Sequence, residues 1–193
     1  MDRDINLLII GALISLVTTL CVQLIQLYIS NYQKNKGKIN IYFKSVYSSI
    51  TSKPWGIDKS SNGIILLIPL WIEIQNTKGK NEIVRDLNLF LYKDNKRIKN
   101  MVQVTHTSNS EKTDYFGDEG VYSFLLEPES IRRYKLNFTI KMSDVNEEFD
   151  RIKIGYFDTK DKYRESILFE TPDGWKTINT KIDSEWRKMV QSR

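Results

Sequence analysis

The stretch Ile64 to Gln75 reads IILLIPLWIEIQ. Ile64, Leu66, Ile68, Leu70, Ile72 and Ile74 recur at every second position. That is the period of a pleated strand, whose successive side chains point to opposite faces. Isoleucine is β-branched and packs well on such a surface. The first half is apolar on both faces, which predicts a strand deep in the fold. Pro69 brings no N–H to a ladder, so a bulge or an edge position is expected there. Trp71 falls opposite the isoleucines and is expected to pack rather than to bind.

Runs of the same kind lie on both sides. They are Ile39 to Val46, Val84 to Lys93, Arg97 to Val104, Val121 to Leu126, Tyr134 to Met142, Ile152 to Asp158 and Tyr163 to Phe169. Turn residues such as Lys78-Gly79-Lys80-Asn81 and Asp94-Asn95 separate them. Without an internal repeat or a helical period over this region, about seven to eight strands at this turn spacing predict an all-β sandwich or barrel, and the length is ample for the two packed sheets of a sandwich. The expected organisation is an anchor and flank over 1–33, a polar linker over 34–38, the sandwich over 39–182 and a short helix or tail over 183–193. In the last segment, Ser184 to Gln191 (SEWRKMVQ) is expected as a short helix capped by Asp183 or Ser184. Trp186, Met189 and Val190 would then form one stripe against the sandwich.

Ile5 to Ile29 contains no charged residue. As a helix it would extend about 37 Å, enough to cross a ~30 Å hydrocarbon core with tilt. The start, Met-Asp-Arg-Asp, lacks the basic character of a secretory signal, and no small-x-small cleavage site follows. A retained transmembrane helix is therefore expected. Arg3 precedes it, and Lys34, Lys36, Lys38 and Lys44 follow. The excess of lysine after the helix predicts that the C-terminal domain faces the cytoplasm. Lys34, Lys36 and Lys38 are expected to contact membrane lipid, each gaining roughly 1 kcal/mol near an anionic surface. At 100° steps Gly11, Ala12, Ser15, Thr18, Thr19, Gln23 and Gln26 share one helix face. Small and hydroxyl side chains let two helices approach and bond, so self-association or a partner helix is expected there.

Little of the sequence points to catalysis. The single cysteine, Cys21, lies within the apolar helix, and the single histidine is His106. One of each leaves no disulfide framework and no His-cluster metal site. No Gly-x-Ser-x-Gly elbow, phosphate-binding glycine loop or dinucleotide fingerprint occurs. Two acidic stretches, Asp114-Asp118-Glu119 and Asp144-Glu147-Glu148-Asp150, lack calcium-loop spacing and read as charged turns. The net charge of +5 is modest and the signs are interspersed, so no nucleic-acid partner is expected. No catalytic residue, cofactor or metal is expected. Two long loops, Thr51 to Gly63 with Trp55 and His106 to Gly120 with Tyr115 and Phe116, carry aromatic side chains that either tuck back over the core or serve as candidate protein contacts.

The run Trp71-Ile-Glu-Ile-Gln-Asn76-Thr-Lys-Gly79 resembles the strand-then-"N-x-G" step of bacterial immunoglobulin-like β-sandwich domains. Leu126-Glu-Pro128-Glu129-Ser130, before Tyr134-Lys-Leu-Asn-Phe138, is similar to their "L-x-P-G-E-S" turn, with Glu129 in place of Gly. Ile154-Gly-Tyr-Phe-Asp158-Thr-Lys-Asp-Lys162-Tyr resembles their "D-S-x-G-K-x-Y" hairpin, with Asp161 in place of Gly. The resemblance implies an immunoglobulin-like fold in a membrane-tethered protein. It carries no catalytic residues, because its motifs are turns. The function expected is non-enzymatic: a binding or sensing module that signals or recruits through helix association or protein contact. Two other readings share these features, a membrane-perturbing effector of a cell-suicide or phage-defence module and an extracytoplasmic ligand-binding or adhesive domain.

Overall fold

The computed structural model describes residues 2–49, 51–60, 63–107, 112–115, 122–145, 147–177 and 181–190. One helix, α1 (Asp2–Asn35), precedes a region that is mostly β. The first antiparallel sheet is built on β3 (Gly63–Asn76). It runs in the order β12 (Arg187–Lys188), β1 (Ile39–Ser45), β3, β9 (Ser130–Lys141), β6 (Val102–Thr107), β7 (Lys112–Tyr115). β2 (Gly56–Ser60) also pairs with β3. The second sheet runs β11 (Tyr163–Glu170), β10 (Arg151–Phe157), β4 (Glu82–Lys93), β5 (Lys96–Asn100), and β8 (Phe124–Leu126) joins it on β4.

Ile68, Leu70, Ile72 and Ile74 are wholly buried, as their alternation requires. They meet Leu87, Leu89 and Leu91 of β4 and Ile152 and Ile154 of β10 in one core between the sheets. Trp71, on the opposite face, is half-buried.

Pro69 occupies neither an edge nor a bulge. β1 pairs with β3 from Asn76 to Leu70, and β2 pairs with it from Leu67 to Gly63. Ile68 and Pro69 fall in the gap between these two neighbours. The Pro69 carbonyl accepts the Val46 N–H at 3.3 Å, so the missing donor faces that same gap. Pairing with β9 on the other side continues through Pro69 opposite Asn137.

The expected strand Arg97–Val104 is two strands in different sheets. Met101, fully buried, is the crossing point between β5 and β6. A crossing through the core needs its polar groups satisfied. The Met101 N–H donates to Leu89 O at 2.8 Å, and the Asn88 side-chain amide donates to Met101 O at 3.0 Å. The Gln103 amide donates to Leu87 O at 3.0 Å. Alternation alone does not reveal such a crossing, because the residues on either side keep strand character.

The helix expected over Ser184–Gln191 is not formed in its described part, which ends at Val190. The segment is extended and adds β12 to the edge of β1, with Tyr42 opposite Lys188 and Phe43 opposite Arg187. The Met189 N–H donates to Ile41 O at 2.8 Å and its side chain is buried, while Val190 is 73% exposed. A two-turn helix is marginal by itself, and an open strand edge offers ready-made backbone partners. The two expected long loops also contain strands, β2 and β7. Ile72→Ala is predicted to cost about 2–5 kcal/mol of stability. Ile83→Ala, at a position 44% exposed, is predicted to cost about 0.5 kcal/mol or less. Denaturant unfolding of the full chain checks the contrast.

Candidate functional site

The helix and the β-domain meet at one joint, and its parts come from distant segments. Over Arg3–Asn35 α1 has a mean hydropathy of 2.4 in its most apolar window, none of it buried against the rest of the chain. It is long and apolar enough to cross a membrane. Ser15, Thr18, Thr19 and Gln23 line one shallow groove with Val22, whereas Gly11 and Gln26 lie outside that lining. Thr18 and Thr19 each donate their hydroxyl to the carbonyl four residues back, at 2.8 Å, so these groups are already satisfied within the helix. Gln23 and Gln26 form no side-chain hydrogen bond among the described residues.

The helix continues to Asn35, into the segment expected as linker. The chain then turns at Gly37, whose φ of +121° disfavours any side chain. A Cβ there would also collide with the Thr77 carbonyl. Beyond it Lys38 and Thr77 hold each other by three bonds. Lys38 N–H donates to Thr77 Oγ1 at 2.8 Å, Thr77 Oγ1 donates to Lys38 O at 3.0 Å, and Thr77 N–H donates to the same carbonyl at 3.0 Å.

Thr77 is itself fixed by its neighbour. Asn76 is 1% exposed, and its amide donates to Lys80 O and Glu127 O, both at 2.8 Å. Its Oδ1 accepts the Lys78 N–H at 3.0 Å. The asparagine of the "N-x-G" run is therefore a pin for the β3–β4 turn. Gly79 completes the approach, since a Cβ there would stand 3.3 Å from Lys34 Cα.

Beside this joint is a cleft of about 460 Å³. The helix end contributes Asn35, Gly37 and Lys38, and the β3–β4 turn contributes Lys78, Lys80 and Glu82. The β10–β11 turn contributes Asp158, Thr159, Lys160, Lys162 and Arg164. Both carboxylates are engaged. Burial alone would raise the Glu82 carboxyl. Lys78 Nζ at 2.6 Å and the Thr159 hydroxyl, which donates to Glu82, overcome that and hold it below the usual range. Asp158 is likewise lowered against its burial by the N–H groups of Lys162 and Lys160 and by Arg164. The ammonium groups of Lys38, Lys160 and Lys162 have no ion-pair partner among the described residues.

Of the three lysines expected at the membrane surface, Lys38 lines this cleft, while Lys34 and Lys36 are exposed outside it. Thr77, Lys78, Lys80, Lys160 and Lys162 stand in the sequence only as residues of turn motifs, not as site candidates. The available signal is two short basic turns, Lys78-Gly79-Lys80 and Lys160-Asp161-Lys162, and only the topology brings them to one end.

Trp55 does not present a contact surface. It is buried and stacks on Phe169 at 4.2 Å, so the loop tucks onto the core. Tyr115 belongs to β7 and His106 to β6, with side chains outside the description, and Phe116 lies outside the described residues. Among the described residues no group of three or more His, Cys, Asp or Glu is arranged to hold a metal.

A second polar cluster lies on the outer face of the second sheet. Glu165 accepts from Tyr92 Oη at 2.7 Å and Lys153 Nζ at 2.6 Å. Burial, with Glu165 nearby, pushes the Tyr163 phenol up to about 12 and Tyr92 higher still. Both phenols stay protonated at neutral pH, and the cluster ties β4, β10 and β11 together.

No family model matches this chain, and no curated protein matches it.

The lowered Glu82 and Asp158 carboxyls give a pH prediction. A group with a depressed folded value stabilises the fold above its unfolded value, and that contribution is lost as pH falls through the folded value. For Glu82 the ordinary value is 4.5. Stability is therefore predicted to be level above about pH 5 and to fall as the pH drops below the ordinary carboxyl value toward the lowered one. Glu82→Gln should lower Tm at neutral pH and flatten that acid slope. Thermal melts of the two proteins across this range check it, and an unchanged slope contradicts it.

Proposed function

We propose that this chain is a single-pass membrane protein whose immunoglobulin-like β-sandwich works at the cytoplasmic face as a non-enzymatic binding or sensing module. The observation that carries the reading is the three-bond clamp between Lys38 and Thr77. A helix joined by a loose tether serves only to localise a domain. A helix clamped to a sheet turn passes its rotation and pairing to the domain, and passes the domain's state back.

The strand order supports the immunoglobulin-like assignment. β1-β3-β9-β6 follows the A-B-E-D order of one such sheet, and β11-β10-β4-β5 follows the G-F-C-C′ order of the other. The cytoplasmic orientation rests on the lysines that follow the apolar stretch. Helix pairing rests on the groove of Ser15, Thr18, Thr19 and Gln23, and on the uncommitted amides of Gln23 and Gln26. Two glutamine side chains without partners gain most by bonding to a second helix.

The test uses single-cysteine variants in a Cys21→Ser background, expressed in cells. Ser15→Cys is predicted to crosslink to a second copy under oxidation, while Leu13→Cys on the opposite face does not. Gln23→Leu with Gln26→Leu should reduce the Ser15→Cys crosslink several-fold. A tag after Arg193 should resist protease added to intact spheroplasts. Equal crosslinking from both faces would refute the pairing, and loss of the tag would refute the orientation.

A further inference from the structure

We infer that the basic cleft at the helix–domain joint binds the phosphate of an anionic phospholipid from the membrane that the helix crosses. The inference rests on α1 being a membrane span, and it assigns that span a specific lipid contact.

Position is the first argument. The apolar stretch ends at Ile29 and the cleft begins at Asn35. Six helical residues advance about 9 Å along the axis. The headgroup layer on each side of the hydrocarbon is about 5–8 Å deep. The helix-side edge of the cleft, at Asn35, therefore lies at the outer boundary of the headgroups, and helix tilt brings it closer.

Charge is the second. Lys38, Lys78, Lys80, Lys160, Lys162 and Arg164 face Glu82 and Asp158. The two carboxylates are already bonded to Lys78, Thr159, Arg164 and backbone N–H groups. Lys38, Lys160 and Lys162 therefore bring three uncompensated charges from two separate chain segments into one concavity. Like charges gathered in this way repel one another, and an anion entering between them relieves the repulsion.

Construction is the third argument. Lys38 is held in place by the Thr77 clamp, and the β10–β11 turn is tied by Asp158 to the Lys160 and Lys162 N–H groups at 2.9 and 3.0 Å. The backbone carrying these lysines is thus ordered before any ligand arrives, which lowers the cost of binding. Bonds of Thr159 to Ile83 N–H and to Glu82 fix this turn against β4.

The experiment places the full chain in nanodiscs of phosphatidylcholine alone, or with about 30% phosphatidylglycerol as the anionic lipid. Lysines are acetylated briefly with an amine-reactive ester and read by mass spectrometry. Lys38, Lys160 and Lys162 are expected to label at least about threefold more slowly in the anionic discs, while the exposed Lys96 and Lys99 of β5 label equally in both. Lys160→Gln with Lys162→Gln, at exposed turn positions, should abolish the protection of Lys38. Equal slowing of Lys96 and Lys99 would mean general surface attraction and would overturn the site. Equal labelling in both discs would overturn it as well. Protection in phosphatidylcholine discs on adding inorganic phosphate, without a further effect of phosphatidylglycerol, would assign the cleft to a soluble anion and overturn the lipid. Failure of the chain to co-elute with either disc would overturn the membrane span, and the lipid contact with it.

Discussion

The architecture depends on one joint, where a helix suited to lipid must be held against sheets suited to water. Thr77 makes this joint with both its backbone N–H and its hydroxyl, and Lys38 answers with both backbone groups. The geometry demands glycine at position 37, because the φ is positive and the Thr77 carbonyl occupies the space of a side chain. It also demands a fixed β3–β4 turn, which Asn76 supplies from a buried position. A hydrogen bond of this kind adds about 0.5–1.5 kcal/mol net, so three shared bonds favour one orientation over the many open to a free linker.

The β-domain is organised so that this joint has a firm support. β3 is the central strand of its sheet and carries Thr77 just beyond its end. Its inward face is wholly buried from Leu66 to Ile74 against the second sheet, with Ile64 partly covered at the end. The chain passes between sheets at Met101 without leaving polar groups stranded, because Asn88 and Gln103 reach the backbone there. An unpaired buried polar group costs about 1–3 kcal/mol, so these two side chains fix where the crossing occurs.

Strand identity was legible where alternation was strict, as along Ile64 to Ile74 and Leu87 to Leu91. Periodicity reports which face is buried and says nothing of which sheet a strand joins. That is why β5 and β6 read as one strand, and why Pro69 reads as a bulge or edge residue. The C-terminal segment carried a helix-like stripe, but its fate was decided by an open edge on β1 that no local pattern encodes. Trp55 read as a loop aromatic because its partner, Phe169, is remote in sequence. The apolar helix and its flanking lysines were legible from composition alone. The basic cleft was not, since Lys38, Lys80 and Lys160 converge only after three turns are brought to one end.

The distance distribution between helix and domain reads the rigidity of this joint directly. Spin labels at Asn31→Cys and Lys99→Cys, in a Cys21→Ser background, would be measured by pulsed dipolar spectroscopy with the full chain in nanodiscs, the labelled chain diluted in an excess of unlabelled chain. A reference pair within the domain, Lys59→Cys with Lys99→Cys, sets the width due to the labels themselves. With the Lys38–Thr77 clamp intact the helix–domain distribution is expected to be no broader than the reference, and broader once Thr77→Val removes the hydroxyl. A broad distribution in the chain that keeps Thr77 would mean that helix and domain move independently, and would contradict a rigid joint.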